Sequence, residues 1–80
     1  MNHDEREKLE KLLDLKDSEY YVWVYDKDRW TLDFRSLSPN RVVSYASGFA
    51  RSTPHQRIKV MKGSTRVLFD GMSKNYNGAI

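Results

Sequence analysis

Eighty residues without a cysteine make one small domain, with no disulfide framework, no thiolate chemistry and no cysteine-based metal site. The chain holds 14 Lys and Arg against 11 Asp and Glu, a formal charge of +3. Its longest apolar run is six residues, far below the roughly 18–20 needed to cross a bilayer, and the charged start carries no signal-peptide pattern. The expected setting is therefore cytoplasmic, with no membrane.

The charge is unevenly divided. Met1 to Glu19 holds seven acids and four bases, or −3; Tyr20 to Ile80 holds ten bases and four acids, or +6; together they give the +3 of the whole. An acidic segment thus precedes a basic body. A domain this short buries only about 60–65% of its unfolded surface, so stability is on the order of 5 kcal/mol. Without staples, its ten Phe, Trp and Tyr must carry much of the packing.

The first expected element is an acidic helix in residues 1–17. Leu9, Leu12, Leu13 and Lys16 share one face at the 3.6 period, and Asn2 or Asp4 suits the cap. Three leucines make a thin stripe, so this helix is peripheral.

Tyr20 to Tyr25 reads Tyr-Tyr-Val-Trp-Val-Tyr, a strand apolar on both faces and so central. A second strand follows over Arg29 to Arg35, where Trp30, Leu32 and Phe34 alternate with Thr31, Asp33 and Arg35. The intervening turn lacks Asn-Gly or Asp-Gly. A three-residue loop sets Tyr20, Val22 and Val24 on the face of Trp30, Leu32 and Phe34; a two- or four-residue loop exchanges the faces. Branched valines suit a tight core under a helix, which favours the first arrangement.

Ser38 and Pro39 then open a helix as N-cap and first residue. Val42, Ala46, Phe49 and Ala50 fall on one face, and Thr53-Pro54 ends it. Gln56 to Lys62 and Thr65 to Asp70 are the last strands, joined by Gly63-Ser64 as a two-residue type II′ loop. That loop faces Val60 with Val67, Ile58 with Phe69, Arg57 with Asp70, Lys59 with Leu68 and Met61 with Arg66. Residues 71–80 show no periodicity and read as a flexible tail.

The fold class is α+β, in the order α-β-β-α-β-β. Residues 18–70 form a four-stranded antiparallel sheet of order 2-1-3-4, with one helix packed on a face.

Catalytic and metal chemistry find no footing. His3 and His55 are far apart, no zinc spacing exists, and the glycines fit no phosphate loop. Asp33, an acid on a strand near Arg35, reads as an ion pair. No enzyme activity, metal or cofactor is expected. What stands out is the sheet face opposite the helix. Tyr21, Trp23 and Tyr25 would share it with Arg35, Arg57, Lys59 and Arg66. Tyr, Trp and Arg dominate protein hot spots, so a small non-catalytic interaction module that binds another protein is expected, through this face or the N-terminal helix. The alternative is a single-stranded nucleic-acid-binding domain, with bases stacked on the rings and cations along the phosphates. A sheet edge could also accept a second copy as a homodimer.

Overall fold

The computed structural model describes residues 15–80; the expected N-terminal helix, apart from its last residues, lies outside them. Strands β1 (Tyr20–Asp26), β2 (Arg29–Ser36), β3 (Arg57–Lys62) and β4 (Arg66–Met72) form one antiparallel sheet in the order β2-β1-β3-β4. Helix α1 (Pro39–Ser52) connects β2 to β3 and packs on one face. The fold is α+β, and β1, apolar on both faces, is an inner strand as its sequence implies.

Helix α1 starts where its cap residues place it. The Ser38 hydroxyl accepts from the Arg41 N–H, and Pro39 occupies the first turn, where a missing N–H costs nothing. The Thr53 N–H closes the far end on the Phe49 carbonyl at 2.8 Å. Val42 and Ala46 are wholly buried against Val22, Ile58, Val60 and Tyr76. Each such valine or isoleucine contributes about 1.5–3 kcal/mol of burial. Tyr20, Val24, Phe34, Tyr45, Phe49 and Phe69 ring this centre.

The first turn differs from the favoured expectation. It is a two-residue loop, with Lys27 at φ 52° and Asp28 at φ 62°, both left-handed, as a type I′ turn demands. Such a loop pairs Tyr25 with Trp30 and Trp23 with Leu32. A bulge then reverses the parity. Asp33 is unpaired, and Val22 next faces Phe34. Tyr20, Val22 and Val24 therefore do lie beneath α1 with Phe34, while Trp30 and Leu32 belong to the other face.

The second turn departs as well. Lys62 pairs with Arg66, so the loop is Gly63-Ser64-Thr65. Gly63 sits at φ +66°, and a Cβ there would lie 3.2 Å from Asp17 Cα. Its N–H donates to the Glu19 carbonyl at 2.8 Å. Leu68 is the extra residue of a second bulge, giving Met61 with Val67, Val60 with Phe69, Lys59 with Asp70 and Arg57 with Met72. Each edge strand thus carries one bulge, a device that twists an edge away from further pairing.

The segment 71–80, expected as a flexible tail, is packed. Strand β4 continues to Met72 and a 3₁₀ turn follows over Ser73–Asn75. The Ser73 N–H donates to the Gln56 carbonyl at 2.7 Å and the Lys74 N–H to the Pro54 carbonyl at 3.0 Å. The buried Ser73 hydroxyl donates to the Thr53 carbonyl. Tyr76 enters the core edge-on to Phe69, with ring centroids 5.2 Å apart. One aromatic anchor and three hydrogen bonds hold the segment, and neither kind of tie leaves a periodic trace.

Candidate functional site

The face opposite α1 follows from the two bulged registers. Across it run Trp30, Leu32 and Arg35 from β2, then Tyr21, Trp23 and Tyr25 from β1. Arg57, Lys59 and Met61 of β3 and Val67, Asp70 and Met72 of β4 complete it. Six of the seven expected binding residues are on this face. Arg66 is the exception. The three-residue loop pairs it with Lys62, in the row beneath the helix, so the expected Met61–Arg66 pairing does not form.

The face has two unlike ends. At the first, Tyr21 is wholly buried and Met61 only 6% exposed. The Tyr21 hydroxyl accepts from the Lys16 N–H at 2.7 Å and donates to Glu19 Oε1 at 2.9 Å. Arg35 grips both Glu19 oxygens, at 2.7 and 3.0 Å, and its guanidinium lies 5.2 Å above the Tyr21 ring. The hydrogen bond from Arg35 holds the Glu19 carboxyl below its ordinary pKa, against the opposing effect of desolvation. Burial pushes the Tyr21 phenol above its own. A forked Arg–carboxylate pair closed over a ring is a clasp for the chain entering β1. Tyr21 and Arg35, expected as binding residues, are committed to it.

At the other end the side chains are more open. Trp30 stands edge-on to Tyr25 with centroids 5.2 Å apart. Lys59 Nζ lies 4.5 Å from the centre of the Trp30 ring, and the Arg57 guanidinium 5.3 Å from the same ring and 5.8 Å from that of Tyr25. Arg57 also meets Asp70 at 3.4 Å, in an exposed pair. Beside them Met72 is 43% exposed. Trp23 sits mid-face, half-buried, between Leu32 and Lys59. Tyr25, Arg57 and Lys59 are thus brought together as expected, around a residue that sequence reasoning assigned to the core. Trp30 was hidden by the even alternation of its strand; only the two-residue reading of the Lys27-Asp28 turn could have placed it here.

Among the described residues no three His, Asp or Glu side chains are grouped to hold a metal, and no helix is long and apolar enough to cross a membrane. His55 is exposed in the loop before β3. No protein-family model matches this chain, and neither a curated protein nor a solved structure matches it.

Proposed function

We propose that the protein is a non-catalytic interaction module that binds another protein through the corner formed by Tyr25, Trp30, Arg57, Lys59 and Met72. The observation that carries this reading is the Trp30 ring with two cations against it, 4.5 and 5.3 Å away. Stacked cations hold an aromatic ring rigid at low entropic cost, and Trp, Tyr and Arg with an adjacent methionine are the composition of an interface centre.

Pairing of the charges favours a protein partner over single-stranded nucleic acid. Arg35 is held by Glu19, Arg57 by Asp70, and Arg66 belongs to the other face. Phosphate tracking needs several cations along one path, and each such contact steepens the dependence on salt.

Affinity capture from the native host tests the proposal. The protein as bait is expected to recover a partner that Trp30→Ala loses by roughly tenfold or more, in line with about 2 kcal/mol for a hot spot. Ser44→Ala, on the exposed side of α1, should leave recovery unchanged. Equal recovery by Trp30→Ala, with its fold intact by circular dichroism, sinks the proposal. Salt-sensitive binding of a short oligonucleotide by fluorescence anisotropy would replace it with the nucleic-acid reading.

A further inference from the structure

On the face opposite α1, β3 and β4 set opposite charges on one rung: Lys59 stands directly across from Asp70. Cross-strand neighbours of opposite charge ordinarily pair. These two do not. Asp70 Oδ1 accepts instead from the guanidinium of Arg57, the same-face neighbour of Lys59 on β3, at 3.4 Å. Lys59 turns away from β4, across β1, and its Nζ lies 4.5 Å from the centre of the Trp30 ring on β2. Among the described residues Lys59 has no carboxylate partner. The Arg57 guanidinium is 5.3 Å from the centre of the same ring, so two cations and one carboxylate meet at Trp30.

Asp70 does not exhaust Arg57. Their contact is long, runs through one nitrogen, and joins side chains that are 49% and 36% exposed. A guanidinium carries five N–H donors in a fork, so others remain to bind a second carboxylate. The negative face of the Trp30 ring attracts both cations and holds them without cancelling their charge. An apolar side chain stands beside them. Met72 is directly across from Arg57 and is 43% exposed.

We infer that the partner of this corner is an acidic protein segment. One of its carboxylates is bound by Lys59 Nζ and the remaining donors of Arg57 at the rim of Trp30, and an apolar side chain of the same segment lies on Met72. Charge complementarity singles out this chemistry, because a neutral or basic segment would leave Lys59 without a counter-charge. An ammonium–carboxylate hydrogen bond is charge-assisted, and a lysine already held on a ring loses little freedom in making it. Asp70 is then a competitor for Arg57, and removing its charge strengthens binding. The inference rests on the interaction-module reading above and names the ligand chemistry of that site.

Peptide titration of the ¹⁵N-labelled full chain tests it. The probes are acetyl-Leu-Glu-Leu-Glu-amide and its neutral twin acetyl-Leu-Gln-Leu-Gln-amide. The acidic peptide is expected to shift the Trp30 indole N–H and the Met72 amide, and to leave the amides of Val42 and Ala46 in place. The neutral twin should bind about tenfold more weakly, in line with the loss of one charge-assisted bond. Lys59→Gln should weaken the acidic peptide by a similar factor, Lys59→Arg should retain it, and Asp70→Asn should bind it more tightly. Equal binding of the two peptides, or no shift from either at millimolar concentration, overturns the acidic preference and leaves the module reading to the capture experiment. Weaker binding by Asp70→Asn overturns the role given to Arg57. Tighter binding of a short oligothymidylate than of the acidic peptide overturns the inference in favour of phosphate. Capture unchanged by Trp30→Ala overturns the module reading, whereas a Lys59-dependent preference for the acidic peptide would stand without it.

Discussion

The phenol of Tyr45 donates a hydrogen bond to Asp33 Oδ2, so the residue that the β1–β2 ladder leaves unpaired is held by the helix above it. The same ring stacks on Phe34, the next residue, with centroids 4.3 Å apart and planes within 9°. Helix and bulge thus fix one another. Asp33, an ion-pair candidate in the sequence, takes a phenol as its partner instead.

Burial, then the hydrogen bond to Asp33 and its charge, push the Tyr45 pKa up to about 12. A phenol that ionises near 10 in the unfolded chain and near 12 in the folded one costs the fold nothing below pH 10. As pH rises between these values the unfolded chain sheds its proton first, so stability falls. Tyr45→Phe should remove this share of the alkaline loss. At pH 7 it should cost about 1 kcal/mol, less than the roughly 1.5–3 of a bond to a charged group, because the pair is exposed. Urea unfolding of both proteins at pH 7 and from pH 9.5 to 12 checks the two statements. Parallel alkaline curves would refute the first.

The clasp at Glu19 has the opposite pH signature. Its carboxyl titrates below its ordinary 4.5 in the folded chain. Its stabilisation is therefore complete above the unfolded value and disappears as pH falls through the folded one. Glu19→Gln should cost about 1 kcal/mol at pH 7, since the pair is part-exposed. The cost should vanish in the most acidic part of the transition. Chemical unfolding between pH 2 and 7 is the measurement, and a pH-independent difference would show that geometry, not charge, makes the clasp.

Two glycines should respond with opposite signs. Gly63 needs both its φ of +66° and the space beside Asp17, so Gly63→Ala should destabilise by about 1–2 kcal/mol or more. Gly48 lies inside α1 with nothing within 4 Å of an added Cβ. Gly48→Ala should stabilise by about 0.5–1 kcal/mol through helix propensity alone. Thermal unfolding of the pair decides. A neutral Gly63→Ala would contradict the close approach of the two loops.

Strand order and the helix were legible in the sequence because each rests on a strong local signal. The six-residue apolar run demanded a central place, and Ser38-Pro39 and Thr53-Pro54 bracketed α1. Register was not legible. Lys27-Asp28 accepts left-handed backbone without the glycine that announces it, and Asp33 and Leu68 look like ordinary members of alternating strands. Each turn differs by one residue from the expected length, so Trp30 was assigned to the core and Arg66 to the binding face, and each bulge restores the expected parity only beyond it. Tyr21 was misjudged for another reason. Its row was right, but it is buried, with its hydroxyl bonded to Lys16 and Glu19 and the Arg35 guanidinium over its ring, contacts that no local pattern announces.

The last eight residues have one principal anchor. Tyr76 is 9% exposed, packs on Phe69 and donates to the Ala79 carbonyl at 3.0 Å. Tyr76→Ala should cost about 3 kcal/mol, the lower end for an aromatic truncated at a core. That is a large share of the roughly 5 kcal/mol expected for a domain of this size. Lys74→Ala, on an exposed side chain of the same turn, should be near neutral. Equal and small effects in urea unfolding would show that the segment only rests on the core.

The bulge at Asp33 permits a sharper test, because removing that residue restores a regular ladder without moving any pair. Trp23 would still face Leu32 and Val22 would still face Phe34, now as consecutive rungs. Deletion of Asp33 should therefore fold, at the cost of the Tyr45 bond. Deletion of Thr31 should not, since it moves Leu32 or Trp30 to the wrong face. Regularity has a second consequence. β2 is an edge, and its bulge twists the unpaired side away from a second chain. The parent protein is thus expected to be a monomer by light scattering rather than the edge-paired homodimer its sequence allows. The Asp33 deletion should self-associate as concentration rises. A parent that is already dimeric, or a deletion variant that stays folded and monomeric throughout, would show that the bulge does not guard this edge.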